Sequence, residues 1–209
     1  MAPQFVTFEG IDGAGKSTQI ERLAASLTAA GKQVCVTREP GGTPLGERVR
    51  EVFLHQAMGL DAETLLVYAA RAEHLQTVIE PALAQGQWVL CDRFSDSTFA
   101  YQGGGKAHGD PAVLTRLHAL DRWANPHGTW PCRTFLFDLD PALAHQRRRA
   151  SRGHSDRFEA QSAAFFERVR QHYLRTAATE PGRFCVLDAN LTVDHLAQQI
   201  QDAMDSLLR

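Results

Sequence analysis

One stretch near the N-terminus restricts this chain more than any other. Gly10-Ile11-Asp12-Gly13-Ala14-Gly15-Lys16-Ser17 satisfies the pattern G-x-x-x-x-G-K-[ST] at every fixed position. Phe5-Val6-Thr7-Phe8-Glu9 precedes it as a β-rich run, and Ile20, Leu23, Ala24 and Leu27 follow at helical spacing until Gly31 ends the pattern. Strand, glycine-rich turn and helix in that order are what phosphate binding requires. The glycines let successive backbone N–H groups face one anion, and the helix N-terminus adds its positive dipole end. Gly10 through Thr18 (Gly10, Ile11, Asp12, Gly13, Ala14, Gly15, Lys16, Ser17 and Thr18) are therefore candidate ATP-binding residues. In this motif Lys16 reaches the β- and γ-phosphates and the Ser17 hydroxyl ligates Mg²⁺.

The rest of the chain alternates strand-like and helical segments, which points to an α/β fold built on a parallel sheet. Further strands are expected at Gln33 to Thr37, Trp88 to Cys91, Arg133 to Asp138 and Phe184 to Asp188. Helices are expected over Pro44 to Gln56, Asp61 to Leu83 with Asp61 as N-cap and a kink at Pro81, and Pro111 to Trp123. Others are expected from Pro141, over Ala163 to Ala178, and over Thr192 to Leu208; Asn125 to Cys132 reads as an irregular connection. With 209 residues, this makes one well-buried domain over residues 1–209 with at most a small lid.

Composition narrows the setting. No apolar run approaches the ~18 residues of a membrane span, and the N-terminus lacks a signal-peptide layout, so a cytoplasmic enzyme is expected. Cys35, Cys91, Cys132 and Cys185 have no C-x-x-C spacing and read as small buried hydrophobes. The histidines show no metal-ligand spacing. A net charge of −2 argues against general attraction to nucleic acid or acidic membranes, so any polyanion must be met by local positive charge.

That charge lies at strand ends, where open α/β sheets bind ligands. The second strand runs into Arg38-Glu39-Pro40-Gly41-Gly42, and the third ends in Asp92-Arg93. There an acid can hold Mg²⁺ through water and an arginine can clamp phosphate. Arg71 interrupts an apolar helix, either as a solvated face or as a ligand contact pointing into a cleft. Ser95 to Gly105 combines hydroxyls (Ser97, Thr98), aromatics including Tyr101, the Gln102 amide and a flexible glycine tail, a set suited to a sugar and a base. Five arginines fall within residues 147–157, either as a solvated helix face or as a mobile lid over phosphates.

A phosphate-binding loop alone indicates only a bound nucleoside triphosphate. The N-K-x-D segment of guanine-specific switches does not occur, whereas Arg38, Arg71, Arg93, Tyr101 and Gln102 supply a second set of binding groups. If the acceptor is a nucleoside monophosphate, its second phosphate pKa of about 6 leaves the attacking oxygen largely anionic at neutral pH. Bringing two polyanions together is then the main demand, and it calls for Mg²⁺, a lysine and several arginines. A kinase for another acceptor and a nucleotide-dependent switch are the competing readings.

Phe8 to Thr18, Thr37-Arg38-Glu39-Pro40-Gly41-Gly42-Thr43, Tyr68-Ala69-Ala70-Arg71, Asp92-Arg93-Phe94 and Ala100-Tyr101-Gln102-Gly103-Gly104-Gly105 together resemble the bacterial thymidylate kinases, in order, from residue 5 to about residue 200. The resemblance implies a P-loop nucleoside monophosphate kinase-like fold, a five-stranded parallel sheet flanked by helices, with an arginine-rich lid at about 147–157. It implies transfer of the γ-phosphate of ATP to dTMP, with Mg²⁺, in a homodimer. By the same resemblance Asp12 holds the sugar 3′-hydroxyl, Arg71 reads a thymine carbonyl, and Ser97, Thr98 and Gln102 complete the substrate site. Tyr101 crowds the 2′ position, Arg38 and Arg93 hold the acceptor phosphate, and Asp92 organises Mg²⁺. The loop lacks an arginine at Gly13 and Ala14, so the catalytic arginine is expected in the lid, at Arg148, Arg149 or Arg152, beside Lys16, Asp92 and Arg93. The family's thymine-stacking aromatic is replaced by Val67, which leaves the adjacent Tyr68 as a substitute.

Overall fold

A computed structural model describes residues 4–150, 157–158 and 161–208; the side chains of 148–150 and 208 lie outside the described set. Five strands form one sheet: β1 (Phe5–Glu9), β2 (Val34–Arg38), β3 (Trp88–Asp92), β4 (Arg133–Asp138) and β5 (Phe184–Asp188). Their order is β2-β3-β1-β4-β5 and every pairing is parallel, with Phe8 opposite Asp92 on one side and Phe135 on the other. Each of the five lies where the apolar β-rich runs predict it.

Central β1 is buried along its whole length, as a parallel strand covered on both faces must be. Phe8 packs against Phe135 and Phe137 at 5.5 and 6.3 Å between ring centroids, while Phe5 meets the edge of Phe94 at 5.1 Å. Edge strands β2 and β5 expose Val36 and Val186. The four cysteines are free thiols; only Cys91 is fully buried, while Cys35 and Cys185 in the edge strands and Cys132 just before β4 are half-buried.

The helices are α1 (Lys16–Ala29), α2 (Pro44–His55), α3 (Leu60–His74), α4 (Glu80–Ala84), α5 (Ser95–Thr98), α6 (Pro111–Ala124), α7 (Pro141–Ala150), α8 (Ala163–Thr179) and α9 (Val193–Leu208). Asp61 is not the cap of α3; Gly59 holds that position and Asp61 lies in the first turn. Helical backbone runs on through a π-helical segment, Leu75–Ile79, directly into α4, so Pro81 stands near the end of one continuous helical run. The 125–132 connection closes on itself, with Asn125 bonding both the N–H and the carbonyl of Thr129.

The largest departure from the sequence reading is at Phe99–Lys106. It is a buried π-helix continuing α5, not a flexible tail. Its glycines serve close packing, Gly103 against α6 and Gly104 and Gly105 against α8: a Cβ on Gly105 would stand 2.5 Å from a Phe165 ring carbon and 2.8 Å from Val169.

The topology positions a site. β1 connects through α1 to β2 on one side of the sheet, whereas β3 connects across to β4 on the other. Adjacent parallel strands whose crossovers part in this way open a crevice at their carboxyl ends. Among the described residues, no helix is long and apolar enough to cross a membrane.

Candidate active site

The phosphate-binding loop follows β1 directly. Gly10 has φ 128°, and a Cβ there would stand 2.5 Å from the Phe137 carbonyl oxygen, so only glycine lets the loop leave the sheet this close to β4. Ile11, Ala14 and Lys16 are buried and anchor the loop, while Gly13, Gly15, Ser17 and Thr18 face outward. α1 starts at Lys16 with no side-chain cap, so its first N–H groups are left for a ligand. Lys16 Nζ donates to the Gly10 and Ile11 carbonyls at 3.2 and 3.4 Å and lies 3.8 Å from Asp12 and 4.0 Å from Asp92. Burial, then the neighbouring Arg93, lowers its pKa against the pull of these acids.

Arg93, at the end of β3, is a non-glycine residue with φ 70°. Its N–H bonds to the Phe8 carbonyl at 3.0 Å, and this left-handed turn swings the guanidinium toward the loop. The side chain donates to Asp12 at 2.6 Å, Ser97 at 3.1 Å and Tyr101 at 3.3 Å, and lies 5.1 Å from the Tyr101 ring centroid. Burial opposes its charge, but Asp12 and the surrounding phenols and acids outweigh it, so its pKa is raised. This is a fixed cation at the crevice.

A cavity opens from this point, and Asp12, Arg93, Ser97, Thr98, Tyr101, Gln102 and Arg71 all line it. Arg71, 1% exposed, is therefore no solvated face. It donates through Nε to Glu39 at 2.8 Å and through Nη2 to Thr98 at 2.9 Å. Its Nη1 has no hydrogen-bond partner; Asp121 Oδ1 is 3.6 Å away. Burial opposes the Arg71 charge and Glu39 sustains it; in turn Arg71 and His74 hold the buried Glu39 carboxyl below its ordinary pKa.

Two expected residues stand elsewhere. Arg38 turns to Glu47 at 2.8 Å and lines a neighbouring cavity with Ser17, Thr37 and Asp92, not the one holding Arg71. Tyr68 points into the core, its hydroxyl donating to the Leu117 carbonyl at 3.0 Å, whereas Val67 lines the cavity. The rings on the cavity wall are Phe53, Phe94, Tyr101 and Phe158. Arg152 and the side chains of Arg148 and Arg149 lie outside the described residues. Arg147 donates to the Ala189 carbonyl at 2.9 Å.

Sequence reasoning missed Glu39, which reads as a turn residue before a proline, and Arg50, which reads as the polar side of an amphipathic helix. Arg50 lines the cavity and donates to the Pro40 carbonyl at 3.0 Å. It also missed Glu9. This carboxyl is wholly buried, accepts from the Phe94 N–H at 2.7 Å, Ser97 at 2.6 Å and Tyr173 at 2.7 Å, and so braces the turn that carries Arg93.

Burial, with Asp96 nearby, pushes the Glu9 pKa up to about 7 against the pull of Arg93, Ser97 and Tyr173. The folded chain thus keeps a proton that the unfolded chain loses near its ordinary pKa. Stability from this group is full below that ordinary value and is lost as pH rises through about 7, by on the order of 3 kcal/mol. Glu9→Gln is expected to remove this slope. Urea midpoints at about pH 5 and about pH 8 check it, and an equal drop in both proteins would contradict it.

Asp92 Oδ1 is buried without a hydrogen-bond partner, beside the Ser17 side of the crevice. One carboxylate and one hydroxyl are hard oxygen donors of the kind Mg²⁺ accepts when phosphates and water complete its shell. Among the described residues no group of three or more His, Cys, Asp or Glu could hold a metal alone.

The chain is similar to known proteins over nearly its whole length. The thymidylate kinase family profile matches residues 8–200. A thymidylate kinase from Ralstonia nicotianae is 52% identical over 211 residues, covering 99% of this chain and 100% of the relative. One from Burkholderia lata is 52% identical over 208 residues, covering 98% of each. The crystal structure of thymidylate kinase from Ehrlichia chaffeensis superposes with a TM-score of 0.76 at 34% identity, covering 98% of this chain and 99% of that one. Similar over its whole length in both sequence and fold, and carrying the phosphate loop and Arg71 cavity just described, this chain belongs to the thymidylate kinase family.

Proposed function

We propose that this protein transfers the γ-phosphoryl group of ATP to dTMP, giving dTDP and ADP, as a step in the supply of dTTP for DNA synthesis. The observation that carries the reading is a shared wall: Asp12 of the phosphate loop and Arg93 line the same cavity as the buried Arg71 and Gln102. A triphosphate on the loop and a nucleotide in the cavity would then meet at Arg93.

An oxygen of the dTMP phosphate attacks the γ-phosphorus, and the bond to the β–γ bridging oxygen breaks. Because that oxygen is largely anionic at neutral pH, no strong base is required. Lys16 neutralises the phosphates of the donor, and Arg93 holds the acceptor phosphate beside it. Arg50 is a third cation near Arg93, and Arg38 reaches the acceptor only by leaving Glu47. Arg71 donates to a base carbonyl, Thr98 holds Arg71 and Ser97 holds Arg93 in place, and Tyr101 crowds the sugar. Ser17 and Asp92 would hold Mg²⁺, which supplies charge neutralisation on the transferring group when bound.

The catalytic arginine is one of Arg148, Arg149 and Arg152 in a lid at about 147–157 of a single kinase domain, residues 1–209. Exposed Leu45 and Leu65 on α2 and α3 support a homodimer through these helices. The setting is cytoplasmic, and the partners are dTMP and ATP rather than nucleic acid or membrane.

ADP release measured with ATP, Mg²⁺ and a panel of dTMP, dUMP, ribo-TMP, dCMP, dGMP and AMP tests this reading. Turnover should be strongest with dTMP. Arg71→Lys, which keeps a charge opposite Glu39 but loses the guanidinium fork, should cut kcat/KM for dTMP roughly 10- to 100-fold, mostly through KM. No acceptor raising ADP release above slow hydrolysis would overturn it.

A further inference from the structure

Glu63, on α3, has no exposed surface and no place in the cavity wall, yet three donors converge on it. Gln102 Nε2 donates to its Oε1 at 2.7 Å, and Lys106 and Arg157 pair with its Oε2. Arg157 is itself fixed, its guanidinium carbon 4.9 Å from the Phe53 ring centroid and 4.6 Å from that of Phe158, and its N–H on the Leu54 carbonyl at 3.1 Å. The carboxylate therefore has one orientation.

That orientation decides the orientation of Gln102. A carboxylate only accepts, while an amide has one donating and one accepting end. Turning the Gln102 amide over would set oxygen against oxygen in a buried place, so its NH₂ stays on Glu63 and its Oε1 is directed away. Among the described residues nothing donates to that oxygen, and Gln102 lines the cavity. Gln102 and Arg71 both line this cavity, the one with an unengaged amide oxygen and the other with a guanidinium nitrogen that makes no hydrogen bond.

We propose that Glu63 is a positioning residue that locks the Gln102 amide with its carbonyl toward the acceptor cavity, and so selects a pyrimidine carrying a ring N–H and a 4-carbonyl. A ring N–H meets Gln102 Oε1 and a 4-carbonyl meets Arg71. A cytosine base, with a bare ring nitrogen and a 4-amino group, opposes both. The inference rests on the reading of the cavity as a nucleoside monophosphate site, and it adds the residue that sets the polarity of that site.

The test is the ratio of kcat/KM for dTMP to that for dCMP in the full-length protein. Glu63→Gln can accept or donate, frees the Gln102 amide to turn, and should narrow the ratio tenfold or more through loss on dTMP and gain on dCMP. Gln102→Leu should narrow it as well, and adding Glu63→Gln to Gln102→Leu should narrow it no further. Glu63→Asp keeps the charge facing Lys106 and Arg157 while drawing the carboxylate back from Gln102; it should show the same narrowing if Glu63→Gln does not fold. A purely structural role would lower both substrates alike. An unchanged ratio in a folded Glu63 variant, or a further fall in the double variant, would overturn the assignment. Absence of dTMP turnover by the unaltered protein would instead overturn the reading of the site, and this assignment with it.

Discussion

Lys16→Met is expected to lower kcat for phosphoryl transfer by about 10²- to 10³-fold or more while leaving the fold in place. Methionine keeps the length and apolar stem of a side chain that is 6% exposed, so the packing of the loop survives. What disappears is a buried ammonium group held in advance by the Gly10 and Ile11 carbonyls. Such a group costs no reorganisation when charge shifts onto the bridging oxygen, and burial makes its field stronger than it would be in solvent. Steady-state kcat at saturating ATP and dTMP, with a melting curve as control, checks this. A kcat within threefold of the unaltered protein would remove Lys16 from the transfer step.

Arg93→Met should cost roughly 10³-fold in kcat/KM for dTMP. Arg93 is the one described cation that touches both halves of the site, donating to Asp12 on the loop and to Ser97 and Tyr101 on the cavity wall. Charge-assisted bonds of this kind are worth about 1.5–3 kcal/mol each, and both the acceptor phosphate and the pose of Asp12 depend on them. The fold should tolerate the change because the Asp12 side chain is 49% exposed and can be solvated once its partner leaves. Arg93→Lys should recover only part of the loss, since an ammonium keeps the charge but not the fork. Kinetics against dTMP at saturating ATP read the effect, and equal losses in kcat/KM for ATP and for dTMP would point to general collapse of the site instead.

The parts legible in the sequence were those with a periodic or steric signature. Strand positions followed from apolar runs, and the phosphate loop from glycines whose role is geometric, as at Gly10. Asp92 and Arg93 stood out because two charges end an otherwise apolar strand. Less legible were residues whose function depends on what faces them. Glu9 closes its strand like an ordinary polar residue, and only the fold shows Phe94, Ser97 and Tyr173 arriving on it. The three glycines after Gln102 suggest mobility from propensity alone, but α6 presses Leu114 onto Gly103, α8 presses His172 and Phe165 onto Gly104 and Gly105, and tertiary packing overrides propensity. Arg38 and Arg50 exchange places for a similar reason: a carboxylate at Glu47 captures the first, and the second reaches inward from the polar side of α2.

The most direct measurement follows the phosphoryl group itself. ATP labelled in its γ-phosphate, incubated with Mg²⁺ and dTMP for about one turnover, should deliver the label to dTDP, with little in inorganic phosphate. Label that appears in inorganic phosphate at the same rate with and without dTMP would contradict the account.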